Sequence, residues 1–266
     1  TFVSIESRDR SVFDRVKATA SLQRHYEIQH RVRGNGGYTR SGFKVYTAGL
    51  SVEAESDLPL PVDTTLSYGA DYSRDSVDSF EIDRGFRRPR GPIADDSNYD
   101  LFGVYTQAEA RIAEWLDVML GVRYSLAHVA AREVDPDTTD AFDIDRIDET
   151  YDAFVANTGV TLHLTDSLSL VGSVAQGFRA PNLDDTTSFR AVSSNSFDSP
   201  SPDLDPEFSL TLEVGLKWQL PWIRGQLFYA YTYLDDVIQR VPTGATVSGL
   251  EEFTKENFAD GSVQAI

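Results

Sequence analysis

The sequence contains no cysteine, which excludes a disulfide framework and any thiolate metal site. It also lacks any apolar run that approaches the roughly 18 residues needed for a membrane-crossing helix. Positive charge is scarce, since 24 Lys and Arg face 42 Asp and Glu for a formal net charge of −18. This balance argues against a nucleic-acid partner, which requires clustered positive charge. The averages fit a soluble protein and equally a transmembrane β-barrel, in which every second strand residue faces lipid.

The chain does contain an alternation of apolar and polar residues with a period of two, the mark of strands with two unlike faces. In residues 116–126 the even positions are mainly aliphatic, whereas the odd positions carry Asp, Met, Gly, Arg and Ser. Residues 208–218 and 62–72 repeat the pattern. Segments of about 11 residues exceed ordinary globular strands and suffice for a tilted strand to cross a bilayer. We predict nine strands, at 15–31, 44–55, 62–73, 99–111, 115–127, 152–164, 168–179, 207–218 and 225–237, and a tenth beginning near Phe258.

The connections between these strands alternate in length. Short links at 56–61, 113–114, 165–167 and 219–224 alternate with long links at 32–43, 74–98, 130–151, 180–206 and 238–257. Short periplasmic turns at one end and long extracellular loops at the other are the layout of an outer-membrane barrel. A soluble β-sandwich or solenoid also has alternating strands, but it explains neither the strand length nor the loop asymmetry. We therefore predict an all-β fold, an antiparallel transmembrane β-barrel segment of about nine to ten strands.

Two sequence boxes add a resemblance to a known family. The first is Gly177, Phe178, Arg179, Ala180, Pro181, Asn182 and Leu183, and the second, within residues 201–207, is Pro202, Asp203, Leu204, Pro206 and Glu207. Glu213 and Gly215 follow on the next strand, and an aromatic strand ends at Ile238. In order and spacing these motifs resemble those of TonB-dependent outer-membrane receptors, although Ser201 stands where the family box usually has Asn.

The resemblance implies a larger barrel of about 22 strands, an N-terminal plug domain and energy supplied by the TonB–ExbB–ExbD complex. Residues 1–266 are then expected to be a partial barrel domain in bacterial outer-membrane lipid, with the plug and the C-terminal strands outside this chain. The family is non-enzymatic and imports scarce ligands such as ferric siderophores, haem, cobalamin or glycans. No cofactor is expected.

Clustered positive charge in one loop indicates the kind of ligand. Guanidinium groups bind anionic groups well, which favours a ferric siderophore, and residues 180–206 lack the histidine that haem receptors usually carry between the two boxes. The alternative is that these arginines pair with acidic neighbours in the same loop, and that Arg179 forms a structural ion pair. The candidate ligand-binding residues are Arg84, Arg87, Arg88, Arg90 and Arg179.

Three further interpretations remain open at this stage. The acidic loop at 130–151 supplies oxygen ligands that suit calcium, although the spacing does not match an EF-hand and a solvated acidic loop is the alternative. A passive porin-like barrel and an outer-membrane hydrolase, with His30 or His128 at the rim, are other functional classes. The candidate calcium ligands are Asp135, Asp137, Asp140, Asp143 and Asp145.

One pairing can be predicted from strand direction and parity. Residue 179 ends one strand and residue 207 begins its antiparallel neighbour, so the two lie opposite each other on the polar face. We therefore predict an ion pair between Arg179 and Glu207.

Overall fold

The structure, a computed structural model, describes residues 1–8, 13–32, 34, 36–88, 90–134 and 146–266. These residues form one large antiparallel sheet, a smaller four-stranded sheet and one short helix. The strands are β1 (Phe2–Arg8), β2 (Arg15–Val32), β3 (Tyr38–Asp57), β4 (Asp63–Asp83), β5 (Phe86–Arg87), β6 (Asp95–Ala113), β7 (Leu116–Glu133), β8 (Ile147–Thr165), β9 (Leu168–Arg179), β10 (Arg190–Ala191), β11 (Ser196–Asp198), β12 (Glu207–Gln219), β13 (Arg224–Asp235), β14 (Val237–Val247), β15 (Leu250–Phe258) and β16 (Gly261–Ala265), and the helix is α1 (Leu183–Thr187).

The large sheet is a meander in which chain neighbours pair, in the order β1-β2-β3-β4-β6-β7-β8-β9-β12-β13-β16. All nine predicted strands are present, which confirms the antiparallel all-β fold. The tenth strand, β16, begins at Gly261, and Phe258 instead ends β15. The sequence did not indicate β1, whose alternation is only a few residues long. Among the described residues, no helix is long and apolar enough to cross a membrane.

Four of the predicted long loops are largely wrong. The strands β3, β4, β6, β7 and β8 continue into three of them and leave connections of only 33–37, 84–94 and 134–146, while residues 238–257 form the hairpin β14–β15. The strands are longer than predicted because their apolar alternation ends before their backbone pairing does. The pairing of β6 with β7, for example, continues to Asp95↔Glu133.

The register assigns the two faces of the sheet. We call the face that carries the even residues of 116–126 the outer face. Val214 pairs with Tyr229 and Leu212 with Tyr231, so the tyrosines of β13 lie on the outer face. Large apolar side chains on this face are exposed in the isolated chain, and Leu120 is 57% accessible. This exposure suits contact with lipid tails.

Aromatic rings mark both ends of the apolar outer face. At the loop end, Tyr124 and Phe154 on adjacent strands have ring centroids 4.8 Å apart. At the turn end, Trp115 and Trp222 are largely exposed. Amphipathic rings in these positions are typical of the two membrane interfaces, which suits an apolar belt that lies in the bilayer core.

Above the belt the polarity of the two faces is reversed. The outer face of β7 continues with His128 and Arg132, whereas the inner face carries Val129, which is fully buried. A small core lies here on the inner face, at the loop end of the sheet. Its buried members are Val77, Ile93, Ala94, Val129, Ala131, Val134, Ile147 and Leu183. Because Leu183 belongs to the segment between β9 and β12, that segment, residues 180–206, packs against the inner wall of the sheet; we call it the mouth insert.

Candidate functional site

The mouth insert begins directly after Arg179, the last residue of β9. Arg179 pairs in register with Glu207 across β9 and β12, and its Nε donates to the Glu207 carboxylate. Its Nη1 donates to Asp185 Oδ2 at 2.7 Å. The predicted Arg179–Glu207 ion pair is therefore confirmed, and the structure adds Asp185 as a second partner. The strand stops directly before Ala180 and Pro181, as expected from a residue that has no N–H to donate.

The end of the first sequence box forms a helix cap. Asn182 Oδ1 accepts hydrogen bonds from the backbone N–H groups of Asp184 (2.8 Å) and Asp185 (2.9 Å). Asp185 Oδ2 in turn accepts from the Asn182 N–H at 3.1 Å. This reciprocal arrangement is a capping box, and it orients Asp185 towards Arg179. The sequence box thus encodes a strand end, a turn and a helix start.

Asp185 forms ion pairs with both Arg179 and Lys255. Burial by itself raises the pKa of the carboxyl group, but the hydrogen bond from Arg179 and the charge of Lys255 hold that pKa below its usual range. The Lys255 ammonium lies 3.1 Å from Asp185 Oδ1 and 3.0 Å from Asp184 Oδ2. Since Lys255 belongs to β15, the ion pairs connect the mouth insert to the hairpin β14–β15.

The second sequence box attaches the end of the insert to the same hairpin. Leu204 is buried, and the Asp205 N–H donates to Asn257 Oδ1 at 2.8 Å. Glu207 Oε1 accepts from the Ile238 N–H at 2.7 Å, so this carboxylate binds both Arg179 and the start of β14. Ser201, which replaces the usual Asn, accepts from the Lys255 N–H at 2.7 Å. The two boxes therefore meet at one place.

Gly215 completes the motif on β12 for a steric reason. The ring of Phe228 on β13 occupies the position that a Cβ atom of residue 215 would take. Lys217 lies over the same ring, with its Nζ 5.6 Å from the centroid. Glu213, the remaining motif residue, pairs in register with Ser173 on the inner face. A side chain at position 215 would displace the Phe228 ring, which gives glycine a steric advantage there.

Arg90 holds three loop segments together. Its guanidinium is 2% accessible and donates to the backbone carbonyls of Gly91 at 3.3 Å, Val134 and Thr187. It also lies over the ring of Phe189, 5.6 Å from the centroid. The structure thus places Arg90 inside the protein, where it fastens the insert to two other loops, and separates it from the other arginines of its cluster.

The remaining arginines of the cluster lie at an exposed hairpin tip formed by the end of β4 and β5. Arg84, Arg87 and Arg88 are exposed, and so is Phe86 between them. Arg88 lies 3.6 Å from Asp83; within the described part of the chain, no ion pair is found for Arg84 or Arg87. Three guanidiniums around an exposed ring can bind a flat anionic group. Sequence reasoning identified the charges but not Phe86.

The inner wall below the insert is a polar network. Arg123 donates to both carboxylate oxygens of Asp71, at 2.8 and 2.9 Å, and crosses the intervening strand β6 at Gly103. A Cβ atom at Gly103 would overlap the Arg123 guanidinium, so this glycine permits the bidentate pair. The aromatic ring of Tyr105 lies 6.0 Å from the guanidinium carbon of Arg123. These contacts link β4, β6 and β7 on the inner face.

A Ser–His–Asp set occurs at the turn end of the inner wall. His163 Nδ1 lies 3.1 Å from Ser169 Oγ, and His163 Nε2 lies 2.7 Å from Asp117 Oδ2. Asp117 also accepts from Arg111 at 3.0 Å. The Asp117 carboxylate therefore contacts both His163 and Arg111, as in a structural hydrogen-bond network. This set lies far from the rim, where the hydrolase alternative placed its candidates. At the rim, His30 is hydrogen-bonded to Tyr38 at 2.6 Å.

The candidate calcium ligands lie outside the described residues. Among the residues that are described, no group of three or more His, Cys, Asp or Glu side chains is arranged to hold a metal ion. The calcium interpretation therefore stays a prediction for residues Asp135, Asp137, Asp140, Asp143 and Asp145.

Solved structures with the same fold are numerous. The hemophore receptor HasR of Serratia marcescens, solved with its hemophore HasA and heme, matches with a TM-score of 0.73 and 15% identity, covering 99% of this chain and 44% of the receptor. The copper transporter OprC matches with a TM-score of 0.77 and 14% identity, over 99% of this chain and 42% of OprC. The ferric enterobactin receptor PfeA of Pseudomonas aeruginosa matches with a TM-score of 0.68 and 14% identity, over 99% and 39%.

The chain thus spans less than half the length of these solved receptors. At such identities the likeness shows the fold alone. No curated protein sequence matches the chain. The family model described as "TonB dependent receptor-like, beta-barrel" matches residues 6–264. The chain therefore belongs to the TonB-dependent receptor β-barrel family and is an outer-membrane protein.

Proposed function

We propose that this chain forms part of the wall and the mouth of a receptor that imports a scarce ligand with energy from the TonB–ExbB–ExbD complex. In this proposal, residues 1–266 are a partial barrel domain, and a plug domain and further C-terminal strands complete the protein. The proposal assigns no catalytic role to the chain.

The observation that carries the proposal is the mouth insert. Both sequence boxes converge on the ion pairs of Arg179, Asp185, Glu207 and Lys255, and the insert packs against the inner wall. A segment that occupies the mouth in this way suits a gated receptor better than a passive porin, whose lumen is a water-filled channel.

Uptake distinguishes these two classes. In cells that produce the full-length receptor, ligand uptake is expected to stop when TonB is inactivated. The barrel remains assembled in such cells, as heat-modifiable gel mobility would show. Continued uptake without TonB would favour the porin-like alternative.

We propose that the ligand is anionic, most simply a ferric siderophore. The support is the exposed tip with Arg84, Arg87 and Arg88 around Phe86, because cations and an aromatic ring together bind anionic aryl groups. The solved neighbours bind heme, copper or ferric enterobactin, so they do not select a ligand for this chain. Arg179 contributes less to ligand binding in this proposal, since two carboxylates already engage it.

The ligand proposal is tested by charge removal in the intact receptor. Replacement of Arg84, Arg87 and Arg88 by Gln is expected to weaken binding of a ferric catecholate at least about tenfold at low salt, with a smaller loss at high salt. The matched control is Arg132→Gln. Arg132 is an exposed arginine on another strand and is ion-paired to Asp96. Equal affinity of the triple variant and the control would remove the tip from the ligand site.

A further inference from the structure

One strand of the barrel wall has an open edge although both of its neighbours are present. β8 pairs with β7 along its whole upper part, to Ala131↔Ile147. On its other side, the pairing with β9 ends at Asn157↔Ala175. Residues 148–156 of β8 therefore have a neighbour on one side only. Because β7 and β9 both belong to this chain, strands elsewhere in the barrel cannot insert here.

The edge opens because β9 separates from β8 after Ala175 and continues to Arg179 paired with β12 alone. β9 ends at Arg179, and from Ala180 the chain turns into the mouth insert rather than continuing beside β8. At the point of separation, Gln176 Oε1 accepts a hydrogen bond from the Ala156 N–H at 3.1 Å. The side-chain amide of Gln176 thus replaces one backbone hydrogen bond that β9 would otherwise make with β8.

The Ala156 contact also fixes the direction of the free backbone groups. In an antiparallel strand, alternate residues direct their N–H and C=O groups to the same side. Since the Ala156 N–H faces the β9 side, those of Phe154, Asp152, Thr150 and Asp148 do so too. Within the described residues, no backbone partner is found for these four N–H groups on that side.

The open edge lacks two of the features with which proteins usually block strand addition, and its carboxylates would repel an acidic strand but not a basic one. Such edges commonly carry Lys or Pro or are covered by other elements. Residues 147–156 read Ile-Asp-Glu-Thr-Tyr-Asp-Ala-Phe-Val-Ala and contain neither Lys nor Pro. The edge lies above Phe154, at the outer end of the apolar belt, so its polar part faces the external solution.

Negative charge predominates at this edge, where the exposed Arg146 is already paired with Asp148. Glu149 and Asp152 on β8 and Asp203 and Asp205 at the end of the mouth insert are exposed. The insert carboxylates lie near Tyr151 of β8. Burial is the main cause that raises the pKa of the Tyr151 phenol to about 12, and the negative charges of Glu149, Asp205 and Asp203 raise it further. Ion pairs are absent for all four carboxylates within the described residues. Their partner should therefore be cationic.

We propose that residues 148–154 of β8 bind an extended, positively charged polypeptide segment by β-strand addition. The backbone of the segment would pair with the free N–H and C=O groups, and its Lys or Arg side chains would meet the carboxylates on the face to which they point. A peptide or a protein ligand presenting such a segment would dock on the outside of the barrel, beside the mouth. This inference is independent of the identity of the transported ligand.

A binding experiment with the full-length receptor in nanodiscs tests the proposal. The probe is a short fluorescent peptide of alternating Lys and Thr, compared with its alternately N-methylated form and with a Glu/Thr peptide. N-methylation removes backbone donors but keeps the charge, so it is expected to weaken binding at least about tenfold. The Glu/Thr peptide is expected not to bind.

A pair of variants locates the site on β8. Thr150→Pro removes an N–H from the open edge, whereas Thr150→Val keeps it; both remove the hydroxyl that contacts His128 at 3.0 Å. The proline variant is expected to bind the Lys/Thr peptide at least about tenfold more weakly than the valine variant. If the proline variant does not assemble, the N-methylated peptide still tests edge pairing on the unmodified receptor. Equal binding of the methylated and unmethylated peptides, or of the two assembled variants, would overturn the proposal.

Discussion

The lower and upper parts of β7 are built on opposite plans. From Leu116 to Leu126 the apolar side chains face outwards and the polar ones face the lumen, whereas above this level Ala127, Val129 and Ala131 are buried on the inside and the outside is polar. The strand keeps its period of two throughout, and only the identity of the apolar face changes. Below, lipid covers the outer face; above, the mouth insert covers the inner face. In each part of the strand, the apolar side chains lie on the face from which lipid or the mouth insert excludes water.

The largest expected effect comes from the arginine that fastens the insert over the upper region. Arg90→Ala leaves carbonyls of Val134 and Thr187 without their donor in a buried site, at a cost of about 3–5 kcal/mol for the closed insert. Hydrogen exchange at the amides of Ala94 and Phe189, both bonded within the insert region, should accelerate. Arg88→Ala, an exposed neighbour, is the control and should leave both amides protected.

The lower region is tested by a charge against lipid. Leu120→Arg is expected to destabilise the folded barrel by about 2–4 kcal/mol if it lies near the midplane. Ala130→Arg, on the same face of the same strand but above the belt, should cost little. The free energies of unfolding in lipid vesicles measure the difference, and similar costs would mean that the membrane boundary on β7 is misplaced. Gly121→Arg is a poor control, because Asn157 occupies the space beside Gly121.

The mouth insert should loosen in acid. The folded-state pKa of Asp185 is depressed, so its contribution is complete above the ordinary aspartate pKa of about 4 and is lost as the pH falls through the lower folded-state value. Asp185→Asn should remove about 1–2 kcal/mol at neutral pH and part of this acid dependence. The rest comes from Glu207, because the hydrogen bond from Arg179 lowers the pKa of that carboxyl group too. Asp203→Asn, exposed in the same insert, should change neither. Tryptophan fluorescence will not report this region, so exchange at Phe189 is the suitable measurement.

The smallest effect is expected for exposed ion pairs of the upper region. Arg132→Gln removes a pair with Asp96 whose side chains are 77% and 66% accessible. Such pairs contribute about 0–1 kcal/mol, so chemical unfolding midpoints should shift barely at all. A large loss would show that the outer face above the belt is covered by something other than water.

The reversal also explains which features were predictable. Where lipid meets one face and the lumen the other, alternation in the sequence identified the strands and the Arg179–Glu207 pair. Above the belt the outer face carries polar residues such as Asp100 and His128. The aliphatic alternation therefore disappears there, and in sequence these strand ends look like polar loops. The long-range contacts of Arg90 with Thr187, and of Lys255 with Asp185, join segments far apart in sequence. No local pattern specifies them, and the open edge of β8 depends on where β9 separates from β8.

Cysteine scanning along β7 tests the reversal most directly, because the chain has no cysteine of its own. Single cysteines at residues 118–132, spin-labelled in the full-length receptor in bilayers, can be compared for contact with oxygen and with a water-soluble nickel complex. Even positions to 126 should be accessible to oxygen, positions 128, 130 and 132 to nickel, and positions 127, 129 and 131 to neither. Oxygen access that continues at even positions through 132, or nickel access at Val129, would contradict the account.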